Sequence, residues 1–281
     1  MRRFRYVVAD VFTDVPLAGN QLAVFTDARD LDSSTMQSLA REMSFSESVF
    51  VLPPSSEDAD VRIRIFTPSN ELPFAGHPVL GTAFVLGAPL QKIVIRLETG
   101  AGVIPVALER EGSRIVFGWM EQPVPRWEAV PNVGEVLAAL GVSASGLPVE
   151  RYELGPGHLY VELGSAAEVA SLEPDLAALE RATRDGANCF ARDGGRWKSR
   201  MFAPAHGVAE DPATGSAAGP LAVHLARHGR IGFGERIEIV QGAEIARPST
   251  LFAQADGSAA AIERVGVGGS AVTVARGELR L

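Results

Sequence analysis

A chain that states one pattern twice has few folds open to it. Residues 64–68, RIFTP, return at residues 200–204 as RMFAP. Shortly after each copy, HPVLGTA at 77–83 is matched by DPATGSA at 211–217. The offsets of the two matches differ by two residues, the size of a small loop indel. Chance similarity is the bland alternative in a chain rich in Ala and Gly, but order and spacing both agree. In each half a strand runs into a loop, then a polar residue, a proline and a small-residue helix start.

The helix starts carry a physical message. Proline suits the first helical position, where its missing N–H has no partner to lose. His77 and Asp211 are therefore expected at or near the N-caps. No side chain is charged from 78 to 91 or from 212 to 223. A helix apolar all round must be buried on every side, and Gly81 and Gly215 let neighbouring backbone come close. The fold class expected is α+β, with two similar duplicated domains. Each is a rolled β-sheet or barrel around a central apolar helix. The helix N-termini, with free N–H groups and the positive dipole end, suit a small anion such as a carboxylate. Both ends are expected to face one cleft between the domains, where small-molecule sites often lie.

The remaining pattern fits this plan. RYVVADVF (5–12), VFVLP (49–53) and the alternating DVRIRIF (60–66) read as strands. LDSSTMQSLAREM reads as a helix capped by Asp32 or Ser33, with Met36, Leu39, Ala40 and Met43 on one face. Residues 121–132 hold three prolines and look like a linker. The domains are accordingly drawn at 1–124 and 125–281, with a possible return of the last strand to the first. In the second half HLYVEL and WKSRMFAP read as strands, and residues 165–182 as one helix with a proline in it.

Bulk properties exclude several classes. Net charge is −8, the pI is about 5.2, and there is no Lys/Arg run, so nucleic acid is not expected as a partner. A single cysteine, Cys189, allows no internal disulfide and no thiol cluster. The charge-free run from 78 to 91 is too short to span a bilayer. The apolar stretch near the start stops at Asp10, too early for a signal peptide, so a cytoplasmic location is expected.

Among candidate chemical groups, His77 is either a group facing the cleft or a capping histidine. Asp211, its match in the repeat, is either functional or a helix cap. Glu210 reads as an exposed, solvated neighbour. Glu47, in SFSES between a helix and a strand, is either a buried base or an ordinary surface charge. Glu71 lies in a loop, with the surface reading stronger. Ser216 and Thr82 carry hydroxyls in a first helical turn, where local capping is the plain reading. Cys189 reads as a buried, inert thiol. His224 and His228 have the i, i+4 spacing of a metal pair, but no third ligand is evident and both read as surface residues. GPGH at 155–158 reads as a turn. No metal or nucleotide motif emerges, and the set suits cofactor-free proton transfer on a small acid.

DVFTDVPLAGNQLAVF, REMSFSESVFV, RIFTPSNELPFAGHPVLGTA and EDPATGSAAGPLAVHLARHG resemble the PhzF family of phenazine-biosynthesis isomerases, over essentially the whole chain. That resemblance implies a diaminopimelate epimerase-like fold, a homodimer, and no cofactor. It implies isomerisation of trans-2,3-dihydro-3-hydroxyanthranilate by proton transfer from C3 to C1. Glu47 matches the family's acid/base, whose pKa a closed apolar pocket is expected to raise. His77 and Asp211 match residues that hold the substrate's amino and hydroxyl groups. Ser46, Gly76, Gly215 and Ser216 match its further substrate contacts. Domain closure over the ligand is implied as well. One departure is Gln21, where the family turn carries proline after Gly-Asn. Rival readings are an isomerase or epimerase of another small amino acid, and a non-catalytic binder on the same fold.

Overall fold

A computed structural model describes residues 2–281. The chain divides into two units: residues up to Gln122 with Gly268–Leu281, and Pro123–Val267.

Unit 1 contains β1 (Arg3–Val11), β2 (Asn20–Phe25), α1 (Ser33–Met43), β3 (Glu47–Leu52), β4 (Val61–Phe66), β5 (Glu71–Leu72), α2 (Gly76–Leu90), β6 (Val94–Thr99), β7 (Gly102–Glu111) and β8 (Arg114–Gln122). Unit 2 follows with β9 (Arg126–Ala129), α3 (Val133–Leu140), β10 (Glu150–Glu153), β11 (Gly157–Glu162), α4 (Ala166–Ala170), α5 (Leu176–Ala182), β12 (Gly186–Asp193), β13 (Arg196–Ala203), β14 (Val208–Asp211), α6 (Gly215–Arg227), β15 (Arg236–Gln241) and β16 (Ser249–Gly257). The strand β17 (Ile262–Gly269) leads the chain back to unit 1, where β18 (Ala271–Arg280) pairs antiparallel with β1.

The repeat seen in the sequence is a repeat of topology. In unit 1, β2 and β3 are parallel, β3 and β4 antiparallel, β4 and β6 parallel, and β6 and β7 antiparallel. In unit 2 the same sequence of pairings runs through β11–β12, β12–β13, β13–β15 and β15–β16. The second parallel crossover of each unit carries the apolar helix, α2 or α6. The residues 64–68 and 200–204 lie at corresponding strand ends, in β4 and β13.

The sheet of unit 1 wraps α2, which packs against β1, β2, β3, β6, β7, β8 and β18. Gly81 is the point of closest approach: a Cβ there would stand 2.6 Å from Val11 Cγ2 and 2.7 Å from Leu22 Cδ2. Alternate residues of the same strands face outward to α1, where Phe25 stacks on Phe50 at 4.7 Å and Phe50 meets Phe66 edge-on. Asp32 caps α1 by accepting from Thr35 N–H. Eleven residues make a marginal helix alone, so the burial of Met36 and Leu39, at about 1.5–3 kcal/mol each, holds α1 in place.

Unit 2 repeats the two-faced sheet. His158 and Tyr160 of β11 turn toward α6, and the Tyr160 hydroxyl donates to the Ala217 carbonyl at 2.8 Å. Leu159 and Val161 turn the other way, into the core shared with α3, α4 and α5. The single helix expected over 165–182 is two helices. Pro174 has no N–H to carry the ladder on, and Asp175 starts α5 afresh by accepting from Ala178 N–H.

Candidate active site

In unit 1 the abrupt end of α1 positions Glu47. Ser44 closes the helix in the left-handed region, at φ 55°, and three residues later the chain enters β3, with Glu47 opposite Leu22. Glu47 Oε2 lies 3.6 Å from His77 Nε2, with the side chains 16% and 4% exposed. On the other edge of the ring, Nδ1 lies 3.3 Å from Nδ2 of buried Asn20, the first residue of β2. Burial drives the His77 pKa down to about 3, and a backbone hydrogen bond with Gln21 only partly opposes this. The ring is therefore neutral. Its Nδ1 edge faces the Asn20 amide and its Nε2 edge faces the Glu47 carboxylate. Gln21 itself is not in a flexible turn; it is paired with Asp10 in the β1–β2 ladder.

His77 is not the cap of α2. It is the second helical residue, behind Gly76 and the extended cap residue Ala75. Asp211 is not a cap either. It ends β14, and α6 begins one turn later, at Gly215 behind Thr214. In the matched frame of the repeat the two helices thus start five residues apart. Specific hydrogen bonds hold the non-helical turn open at Asp211. Thr214 Oγ1 donates to Asp211 Oδ2 at 2.6 Å, and Gln241 Nε2 donates to the Asp211 carbonyl at 2.7 Å and to Thr214 Oγ1 at 3.1 Å. By helix position, the counterparts are Gly76 with Gly215 and His77 with Ser216.

Ser216 is buried, and its Oγ lies 3.1 Å from Nε2 of His158, also buried. The turn read at 155–158 is shorter than expected: β11 begins at Gly157, and His158 lies in the strand that HLYVEL marked. Burial, with weaker repulsion from His206 and Arg151, brings its pKa to about 3. Gln241 and His158 are the neighbours of the candidate residues that sequence reasoning missed.

Other expectations need correction. Glu210 is no solvated charge. Its side chain is 9% exposed and forms a two-pronged pair with Arg200, at 2.9 and 2.8 Å. Glu71, a residue of β5, is tied to Arg64 in the same way. His224 is fully buried and His228 is largely so, because α6 is enclosed along its length. A third ligand type is also present: Glu150 lies with both histidines, their ligand atoms within 4.8 Å of one another. The Arg227 guanidinium, 2.7 Å from Glu150 Oε2, already supplies the positive charge there. Cys189 is buried, and desolvation lifts its thiol pKa to about 12, as an inert thiol requires. No helix among the described residues is long and apolar enough to cross a membrane.

Two rolled sheets, each closed on an apolar helix with polar groups in its opening turn, define an epimerase-like α+β protein. A hydroxyproline epimerase of Agrobacterium vitis shares the fold, with a TM-score of 0.71 at 12% identity, covering 99% of this chain and 92% of that one. A PhzF-family protein of Bacillus anthracis is nearer, with a TM-score of 0.85 at 24% identity over the whole of both chains. The family model for phenazine biosynthesis-like proteins, PhzC-PhzF, matches residues 9–277, and the chain belongs to that family. Trans-2,3-dihydro-3-hydroxyanthranilate isomerase of Pseudomonas aeruginosa is 52% identical over 99% of each chain.

Proposed function

We propose that this isomerase converts trans-2,3-dihydro-3-hydroxyanthranilate to an aminoketone, with Glu47 as the proton carrier. The observation that carries the reading is the 52% identity, maintained over 99% of both chains, to an enzyme named for that reaction. The Glu47 carboxylate takes the proton from C3, the ring electrons shift, and the resulting carboxylic acid returns a proton to C1. The enol so formed tautomerises to the ketone. One group serving both steps requires both carbons on its side of the ring.

The neutral His77 supports this assignment. A protonated imidazole 3.6 Å from Glu47 would hold the carboxylate as an ion pair and weaken it as a base. A neutral ring, pinned by Asn20, offers one N–H and no net charge. His77 and Asp211 take the substrate's amino and hydroxyl groups. Ser46 and Ser216 contribute hydroxyls, and Gly76 and Gly215 contribute main-chain N–H groups at helix starts. The working form is a cytoplasmic homodimer that needs no cofactor.

The test mixes purified enzyme with the substrate in deuterated buffer, alongside Glu47→Gln. Loss of substrate absorbance and deuterium at C1 with wild type alone support the reaction and its base. Equal turnover by both keeps the reaction and removes Glu47. Binding without turnover by wild type moves the reading to another small amino acid or to a binding protein. Light scattering during chromatography tests the dimer.

A further inference from the structure

His158 takes no part in the chemistry above, yet the structure builds a place for it. It stands opposite Gly186 across the parallel β11–β12 pair. A Cβ on Gly186 would come within 3.0 Å of His158 Nδ1 and 2.8 Å of Met201 Sδ, so only glycine leaves room for the ring. The far edge of the ring, Nε2, lies 3.1 Å from Ser216 Oγ. Both side chains are buried, at 5% and 4% residual exposure.

The proton can be placed. A neutral imidazole has one N–H and one bare nitrogen. Nδ1 is buried with no hydrogen-bond partner among the described residues. A buried orphan N–H is rarer and costlier than an under-used acceptor. The proton therefore sits on Nε2, which donates to Ser216 Oγ. Ser216 has one hydroxyl hydrogen, and that hydrogen must then point elsewhere.

We propose that His158 is a positioning residue which, by donating to Ser216 Oγ, commits the Ser216 hydroxyl to act as a donor toward an anionic oxygen of the substrate, its carboxylate or the enolate formed in the reaction. Without His158 the hydroxyl is free to turn and to present a lone pair, which repels such an oxygen. Ser216 stands at the second position of α6, where main-chain N–H groups also lack helical acceptors. Hydroxyl and backbone then act with one sign. This inference rests on the reading of Ser216 as a substrate contact.

The test is a double-mutant cycle on the full-length enzyme, with kcat and KM measured on dihydrohydroxyanthranilate for His158→Leu, His158→Gln, Ser216→Ala and the His158→Leu/Ser216→Ala pair. Loss of one oriented bond to a charged oxygen predicts about a tenfold fall in kcat/KM for Ser216→Ala and a similar fall for His158→Leu. His158→Gln, whose amide N–H reaches a similar position, retains activity to within about threefold. The pair is no worse than Ser216→Ala alone, because His158 acts only through that hydroxyl. Losses that multiply in the pair overturn the proposal, as does a folded His158→Leu enzyme with wild-type kinetics beside an impaired Ser216→Ala. Wild-type kinetics in Ser216→Ala instead remove Ser216 from the site, and the role of His158 with it. Should leucine at 158 unfold the protein, His158→Asn, whose amide falls short of Ser216, takes its place in the cycle.

Discussion

Two neutral histidines sealed in the interior make the protein acid-labile in a calculable way. His77 and His158 both have folded pKa values near 3 against 6.5 in the unfolded chain, with burial the leading cause. A depressed base stabilises the fold fully above its unfolded pKa. That stability drains as the pH falls, because the unfolded chain takes up protons that the native state refuses. For each ring the loss between pH 7.5 and pH 4.5 is about 3 kcal/mol or a little less, so about 5 kcal/mol for the pair. This is comparable to the whole stability of many domains. Urea unfolding at several pH values should give a stability slope between pH 6 and pH 4 that is shallower in His158→Gln than in wild type by about 1.4 kcal/mol per pH unit. His77→Gln should show the same difference. Carboxylates titrating in this range contribute equally to both proteins and cancel. Equal slopes in wild type and variant would refute the burial argument, since they would mean that the ring gains its proton in the folded state as readily as in the unfolded one.

The turn at Asp211 gives a second prediction. Gln241→Leu removes the bonds to the Asp211 carbonyl and to Thr214; kcat/KM should fall at least about tenfold, the scale of one or two lost hydrogen bonds, while circular dichroism is unchanged, and full activity would show that the turn holds itself. A third concerns Arg200, which also donates to the carbonyls of Val169, Ala170 and Leu172. Glu210→Leu leaves that buried cation without its counter-charge and should cost about 3 kcal/mol in denaturant unfolding. Adding Arg200→Met should recover part of the loss; a further loss of the same size would show that the pair and the carbonyl bonds are independent.

The architecture was legible because its signals are local. The duplicated motifs, the charge-free helices and the alternating strands are each written within about a dozen residues. What stayed hidden depends on distant partners. His224 and His228 read as surface residues because nothing within their helix shows that β10 brings Glu150 beside them. Glu210 looked solvated because Arg200 reaches it only once β13 and β14 pair. The start of α6 was misplaced by one turn because the residue that keeps residues 211–214 out of the helix, Gln241, lies a full strand later. Glu47 in SFSES left two readings open, a buried base or a surface charge, and only the family resemblance favoured the first.

The pairing of β18 with β1 has a consequence for how the protein is made. Unit 2 is contiguous, so a ribosome delivers all of it in one stretch. Unit 1 is not. Until residues 271–280 emerge, β1 has an open edge of unpaired N–H and C=O groups on one side. Domains usually mature in the order of synthesis; here the part of the chain made first is completed last. Glu47 and His77 are translated early but are locked into a finished sheet only when β18 closes it. A fragment ending at Gln122 carries both residues and lacks that closing strand, whereas the same fragment supplied with residues 268–281 as a separate peptide has every strand of unit 1.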